Sequence, residues 1–189
     1  NQQATEDKVL TEWSSSAPSF FAPDSSMWTR NTNGTATVFA GKYISTASIS
    51  TDSPVDWSQW SFLQMSVYNP ATTAQPFSVE LRDTATVDYW SRVNWDSVVA
   101  PGTSTFLMPI EVYVGEKSEV TARRMIDLHA VTRLAIANNG AVNVTIGTIK
   151  LLPQVPFQHD FPKLLKVDVQ PRTGPVLKTF TGLYPDTLD

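Results

Sequence analysis

Trp90, Arg92 and Asn94 recur at every second position of Tyr89-Trp90-Ser91-Arg92-Val93-Asn94-Trp95. In a β-strand that spacing sends all three side chains to one face and Ser91, Val93 and Trp95 to the other. A flat aromatic beside a guanidinium and an amide is suited to holding a sugar: the ring covers an apolar sugar face, and the polar groups bond its hydroxyls. With Val93 and Trp95 in a core, the polar trio points outward.

A platform of this kind needs a neighbouring strand. Phe77, Val79 and Leu81 alternate with Ser78, Glu80 and Arg82, and the turn residues Asp83–Asp88 lead into the first segment. A hairpin pairing Arg82 with Trp90, Glu80 with Arg92 and Ser78 with Asn94 keeps both apolar sets on one side. The outer patch then holds Trp90, Arg92, Asn94, Glu80, Arg82 and Ser78. Gln64 and Tyr68, on the outer side of the segment Trp60–Tyr68, extend it. The rival reading is that Glu80 and Arg92 form an ordinary cross-strand ion pair with no ligand.

The remaining pattern is one of short strands. Segments near Lys8–Glu12, Thr35–Ala40, Tyr43–Ser50, Trp60–Tyr68, Phe77–Arg82, Thr103–Ile110, Val131–Ala137 and Val142–Leu152 alternate, with turn residues between them. Gly41-Lys42 suggests a hairpin between the second and third. In the last segment Val142, Val144 and Ile146 share one phase and Ile149 and Leu151 the other, so a bulge is expected at Gly147-Thr148. Asp127 is placed to cap a single helical turn within Met125–Ala130. The class expected is all-β, a jelly-roll β-sandwich of about eight or nine antiparallel strands.

Two regions divide the 189 residues. Residues 1–153 can bury one core, and residues 154–189 form a Pro-rich arm or linker with room for a lone strand at Lys166–Val169. Trp13 and Trp95 are assigned to the core, Trp57 and Trp60 to its end, and Trp28 to a loop at the sandwich end where it could bind ligand. His129 sits among apolar neighbours and is expected to be packed; His159 lies in the arm.

Composition limits the chemistry. There is no Cys, which excludes disulfides, zinc-thiolate sites and Cys nucleophiles. The net charge is −4, and no Lys/Arg cluster offers the footprint that nucleic acid requires. No apolar run reaches the roughly 18 residues of a membrane helix. Nucleophile elbow, phosphate loop and metal-ligand cluster are all lacking. Asp83, Asp88 and Asp96 flank the outer face, but a glycosidase needs two carboxyls about 5–10 Å apart across a cleft. No catalytic residue is assigned.

From Asp56 onward the order Asp56-Trp57-Ser58-Gln59-Trp60, LQMSVYNP, FSVELRD, YWSRVNW, APGTSTFLMPI, MIDLHAVTRLAIA and VNVTIGTIKLL resembles one family. It is similar to the galactose-binding-like jelly-roll domains attached to bacterial polysaccharide-degrading enzymes. The resemblance implies a noncatalytic module that binds polysaccharide or oligosaccharide beside a catalytic domain, outside the cell, at its surface or in the periplasm. A chain opening at Asn1 fits an export signal already removed, and the tail resembles the lead-in to a further domain. Relatives often hold a structural Ca²⁺ through Asp-Asn in the last strand. Gly147 and Thr148 stand there instead and supply no carboxylate, so no calcium or other cofactor is carried over. Two alternatives stay open: a domain that only packs on a catalytic neighbour, or a jelly-roll hydrolase or lyase.

Overall fold

The computed structural model describes residues 4–14, 21, 24–46 and 54–153. The arm expected over 154–189, with its lone strand and His159, lies outside the described residues.

Among the described residues twelve strands follow in chain order: β1 (Lys8–Thr11), β2 (Trp28–Arg30), β3 (Ala36–Val38), β4 (Lys42–Ser45), β5 (Phe62–Asn69), β6 (Gln75–Asp83), β7 (Val93–Val99), β8 (Gly102–Pro109), β9 (Tyr113–Val114), β10 (Arg124–Met125), β11 (Val131–Asn138) and β12 (Val144–Leu152). One sheet runs β2-β3-β12-β5-β8, with β1 also on β12; the other runs β4-β11-β6-β7; β9 and β10 form a separate hairpin. Every pairing is antiparallel. This is a β-sandwich of the expected class.

Alternation builds the core. Leu63, Met65 and Val67 of β5, Phe77, Val79 and Leu81 of β6, and Leu134 and Ile136 of β11 are all buried. Burying each such side chain contributes about 1.5–3 kcal/mol, which makes the inward phase of these strands hard to reverse. The turn signals have a physical content too. Buried Asn69 donates to the carbonyls of Thr73 and Val99 and accepts from the Ala71 N–H. Buried Asn138 donates to Val38 and Val142 carbonyls and accepts from Gly140. Each Asn closes a strand end by satisfying backbone groups that the sheet leaves unpaired.

The bulge falls where expected. The β12–β5 register shifts between Ile146 and Ile149, so both apolar phases of β12 face inward. The freed carbonyl of Gly147 accepts a 2.7 Å hydrogen bond from the Trp13 indole. Trp13 is buried against Phe21 and Trp28. The Asp127 cap is present on a 3₁₀ turn at Leu128–Ala130, accepting from the His129 N–H.

Several expectations are corrected. The described parts of Thr35–Ala40 and Tyr43–Ser50 do not form the expected hairpin: β3 pairs β12 and β2 while β4 pairs β11, so the chain crosses between sheets at Gly41; residues 47–50 lie outside the described residues. Trp28 opens β2 rather than lying in a loop, and it is 5% exposed, packed edge to face with Trp13. Trp57 is buried as assigned, while Trp60 and Trp95 are only partly covered against the core. His129 is largely exposed rather than packed, its Nδ1 3.4 Å from Asp56, because the 3₁₀ turn points inward with Leu128 instead.

Candidate functional site

β7 begins at Val93, not Tyr89, and residues 84–92 form a loop. Ser91 explains why. Its side chain is buried, and its hydroxyl accepts from the backbone N–H groups of Val87 and Asp88. Asp88 in turn accepts from the Ser91 N–H. These local bonds offer the backbone an alternative to the ladder. The β6–β7 register consequently pairs Glu80 with Asn94 and Ser78 with Asp96, two residues from the expected alignment. Parity is unchanged by a shift of two, so the outer set keeps its face.

That face is the outside of β4-β11-β6-β7, and its residues lie in rows across the strands. One row is Tyr43, Ala137, Ser78 and Asp96; the next is Ser45, Ala135, Glu80 and Asn94. Beyond them Arg133 pairs with Arg82. Small side chains at Ala135, Ala137 and Ser78 leave a groove of about 290 Å³ between Tyr43 and Tyr89. A second groove of about 450 Å³ adjoins it past the β7 edge, between Trp90 and Trp95 on one side and Val112–Lys117 on the other. Tyr89, Arg92, Asn94 and Asp96 line both.

Trp90 is 48% exposed. It meets Tyr89 edge to face at 4.9 Å, and the Lys117 ammonium lies 5.4 Å from its ring. Arg92 stacks 4.9 Å over Tyr89, its Nε donating to Asn94 Oδ1 at 2.9 Å. Asn94 donates to the Tyr89 carbonyl at 2.7 Å. Glu80 receives Arg82 on Oε1 and Arg92 on Oε2, and Arg133 Nε stands 3.7 Å away. The anticipated Glu80–Arg92 pair therefore exists, but as part of a cluster of three guanidiniums around one carboxylate.

Two carboxylates near the site, Asp88 and Asp83, are engaged. Asp88 is held below the ordinary carboxylate value by hydrogen bonds from the Ser118 and Ser91 groups. Burial pushes the Asp83 carboxyl up, but hydrogen bonds from Arg124, the Asp127 N–H and Thr86 more than cancel it, leaving it lowered. Among the described residues no three His, Asp or Glu side chains converge as a metal's ligands would.

Gln64 and Tyr68 are not part of this face. Both point outward from β5, which belongs to the other sheet. Sequence reasoning missed Tyr43, Arg133 and Tyr113. The alternation of Arg133, Ala135 and Ala137 was available as a signal, but nothing local puts β11 beside β6.

By sequence the chain matches no protein family and no curated protein. Solved structures are similar in fold. The family 11 carbohydrate-binding module of a cellulosomal cellulase of Clostridium thermocellum superposes with TM-score 0.52 at 15% identity, over 83% of this chain and 100% of that one. An agarase gives TM-score 0.53 at 13% identity, over 77% of this chain and 24% of the agarase. An exo-β-agarase gives 0.51 at 12%, over 79% and 25%. The fold is thus the jelly-roll sandwich found in a carbohydrate-binding module and within agarases. The chain spans about a quarter of the length of those agarases.

Proposed function

We propose that this chain is a noncatalytic carbohydrate-binding module whose site is the pair of grooves from Tyr43 across β11, β6 and β7 to Trp90. The observation that carries this reading is the exposed ring of Trp90 beside Tyr89, at the mouth of grooves walled by Arg92 and Asn94. Exposed rings gain by covering the apolar face of a sugar, and the amide and guanidinium donors select its hydroxyls. Likeness of fold to a carbohydrate-binding module supports the same reading.

The finer reading follows. Trp90, Arg92, Asn94, Glu80 and Arg82 contact a polysaccharide chain, with Tyr43, Tyr113 and Arg133 added. Residues 1–153 act as the galactose-binding-like module and 154–189 connect it to a catalytic neighbour in an exported protein. A hydrolase or lyase is less well supported, since Glu80 is tied up by arginines.

Affinity electrophoresis through polysaccharide-containing gels tests the function. Retardation by at least one glycan, lost in Trp90→Ala with an unchanged melting temperature, is the expected result. Unimpeded migration of the native protein in a broad panel would leave only the packing-domain reading.

A further inference from the structure

We propose that the groove takes a polysaccharide bearing an anionic group, a uronate carboxylate or a sulfate ester, and that Arg133 and Arg82 receive that group. The inference rests on the carbohydrate-binding reading and specifies its ligand.

Arg133 and Arg82 are directly opposed on adjacent strands. Like charges in that position repel, and one carboxylate, Glu80, stands between them: its Oε1 takes Arg82 Nε and lies 3.7 Å from Arg133 Nε. Arg92 converges on the same place, bonded to Glu80. Glu80 is the one carboxylate that the three guanidiniums reach among the described residues. Three cations around one anion leave an excess of two positive charges. Asp96, the other carboxylate of the face, is opposite Ser78, which lies about 13 Å from Arg82 along β6.

The donors are also incompletely used. Arg133 Nε is buried 3.7 Å from Glu80 Oε1 without a hydrogen bond, and the outer nitrogens of this groove-lining side chain form none among the described residues. Arg82 engages Glu80 through Nε, leaving the outer nitrogens of its fork without a bond among the described residues. A planar fork of this kind accepts a carboxylate or sulfate through two parallel bonds. Beside it lies the floor of Ala135, Ala137 and Ser78, wide enough for the sugar ring that would carry the anion. The excess is local: the whole chain is net −4, which disfavours unspecific adsorption of a polyanion elsewhere.

The test is affinity electrophoresis near neutral pH through gels holding polygalacturonate, a sulfated carrageenan, agarose or mixed-linkage β-glucan. Retardation by polygalacturonate identifies a carboxylate as the anion, and retardation by carrageenan a sulfate. Either should weaken as salt rises. Arg133→Ala should lower affinity for the retarding glycan about tenfold or more, and Arg133→Lys should fall between it and the native protein. The melting temperature of each variant separates this from loss of fold. Binding of neutral glycans alone, insensitive to Arg133→Ala, would overturn the anionic ligand while leaving the carbohydrate-binding module intact. Absence of retardation in all four gels would overturn the anionic ligand, and failure across a broader neutral panel would then remove the module reading as well.

Discussion

The backbone N–H of Gly115 donates a 2.8 Å hydrogen bond to the carbonyl of Trp90. Through it the β9–β10 hairpin, which walls the larger groove, is fastened to the turn that carries the exposed indole. Ser118 adds a second tie, donating to Asp88 at 2.7 Å. Trp90 therefore presents its ring from a braced loop rather than from a strand, and the ring is set before any ligand arrives.

Gly115 has φ +88°, and a Cβ there would meet the Ala122 carbonyl oxygen at 2.6 Å. Backbone cannot swing aside as a side chain does. Gly115→Ala should cost about 2–4 kcal/mol, combining left-handed strain with overpacking, and should weaken glycan binding by loosening the groove wall. Gly102 also has positive φ but opens onto free space. Gly102→Ala should cost only about 1–2 kcal/mol and leave binding intact. Urea unfolding and affinity gels of the two variants check this contrast.

Tyr43 and Tyr68 are nearly equally exposed, 45% and 47%, but lie on opposite sheets. Tyr43→Ala should reduce polysaccharide affinity about fivefold or more, as loss of one aromatic contact of about 1 kcal/mol or more implies. Tyr68→Ala should do nothing to it. Equal losses from both would move the site off the β4-β11-β6-β7 face.

Asp83 is buried and pairs with Arg124, whose Nη2 donates to it at 2.8 Å. Its carboxyl is lowered below the ordinary 3.8. The pair's contribution is therefore complete above that value and is lost as pH falls through the folded-state pKa. Asp83→Asn should cost about 3 kcal/mol at neutral pH, the low end for a buried pair because Arg124 is partly exposed. The gap between native and variant urea midpoints should narrow under strongly acidic conditions. A gap that stays constant with pH would show that packing, not charge, makes the difference.

Trp13 is the partner of the Gly147 carbonyl at the β12 bulge. Trp13→Phe keeps an aromatic ring but leaves that carbonyl unsatisfied, so a loss of about 1–3 kcal/mol is expected in urea unfolding. The loss should appear without any change in glycan binding, since the bulge lies in the sheet that does not carry the groove.

The face each strand residue takes was legible in the sequence, because a period of two is local and a single slip would exchange core for solvent. This held for Val79 and Glu80, for Val93 and Asn94, and even survived an error of two in register. The bulge at Gly147 was legible for the same reason: two apolar phases in one strand cannot both be buried without it. The jelly-roll class followed from that alternation and from the motifs between Asp56 and Leu152.

Adjacency was not legible, because it depends on contacts far apart in the chain. Only the tertiary structure sends β5 to the other sheet, taking Gln64 and Tyr68 away from the site, and inserts β11 beside β6, bringing Arg133 opposite Arg82. It also turns Trp28 into core and lifts Trp90 onto a loop, through the buried hydroxyl of Ser91 and the distant N–H of Gly115. Alternation is dictated by backbone geometry within a few residues, whereas the choice of neighbour is dictated by how two whole sheets bury their inner faces together.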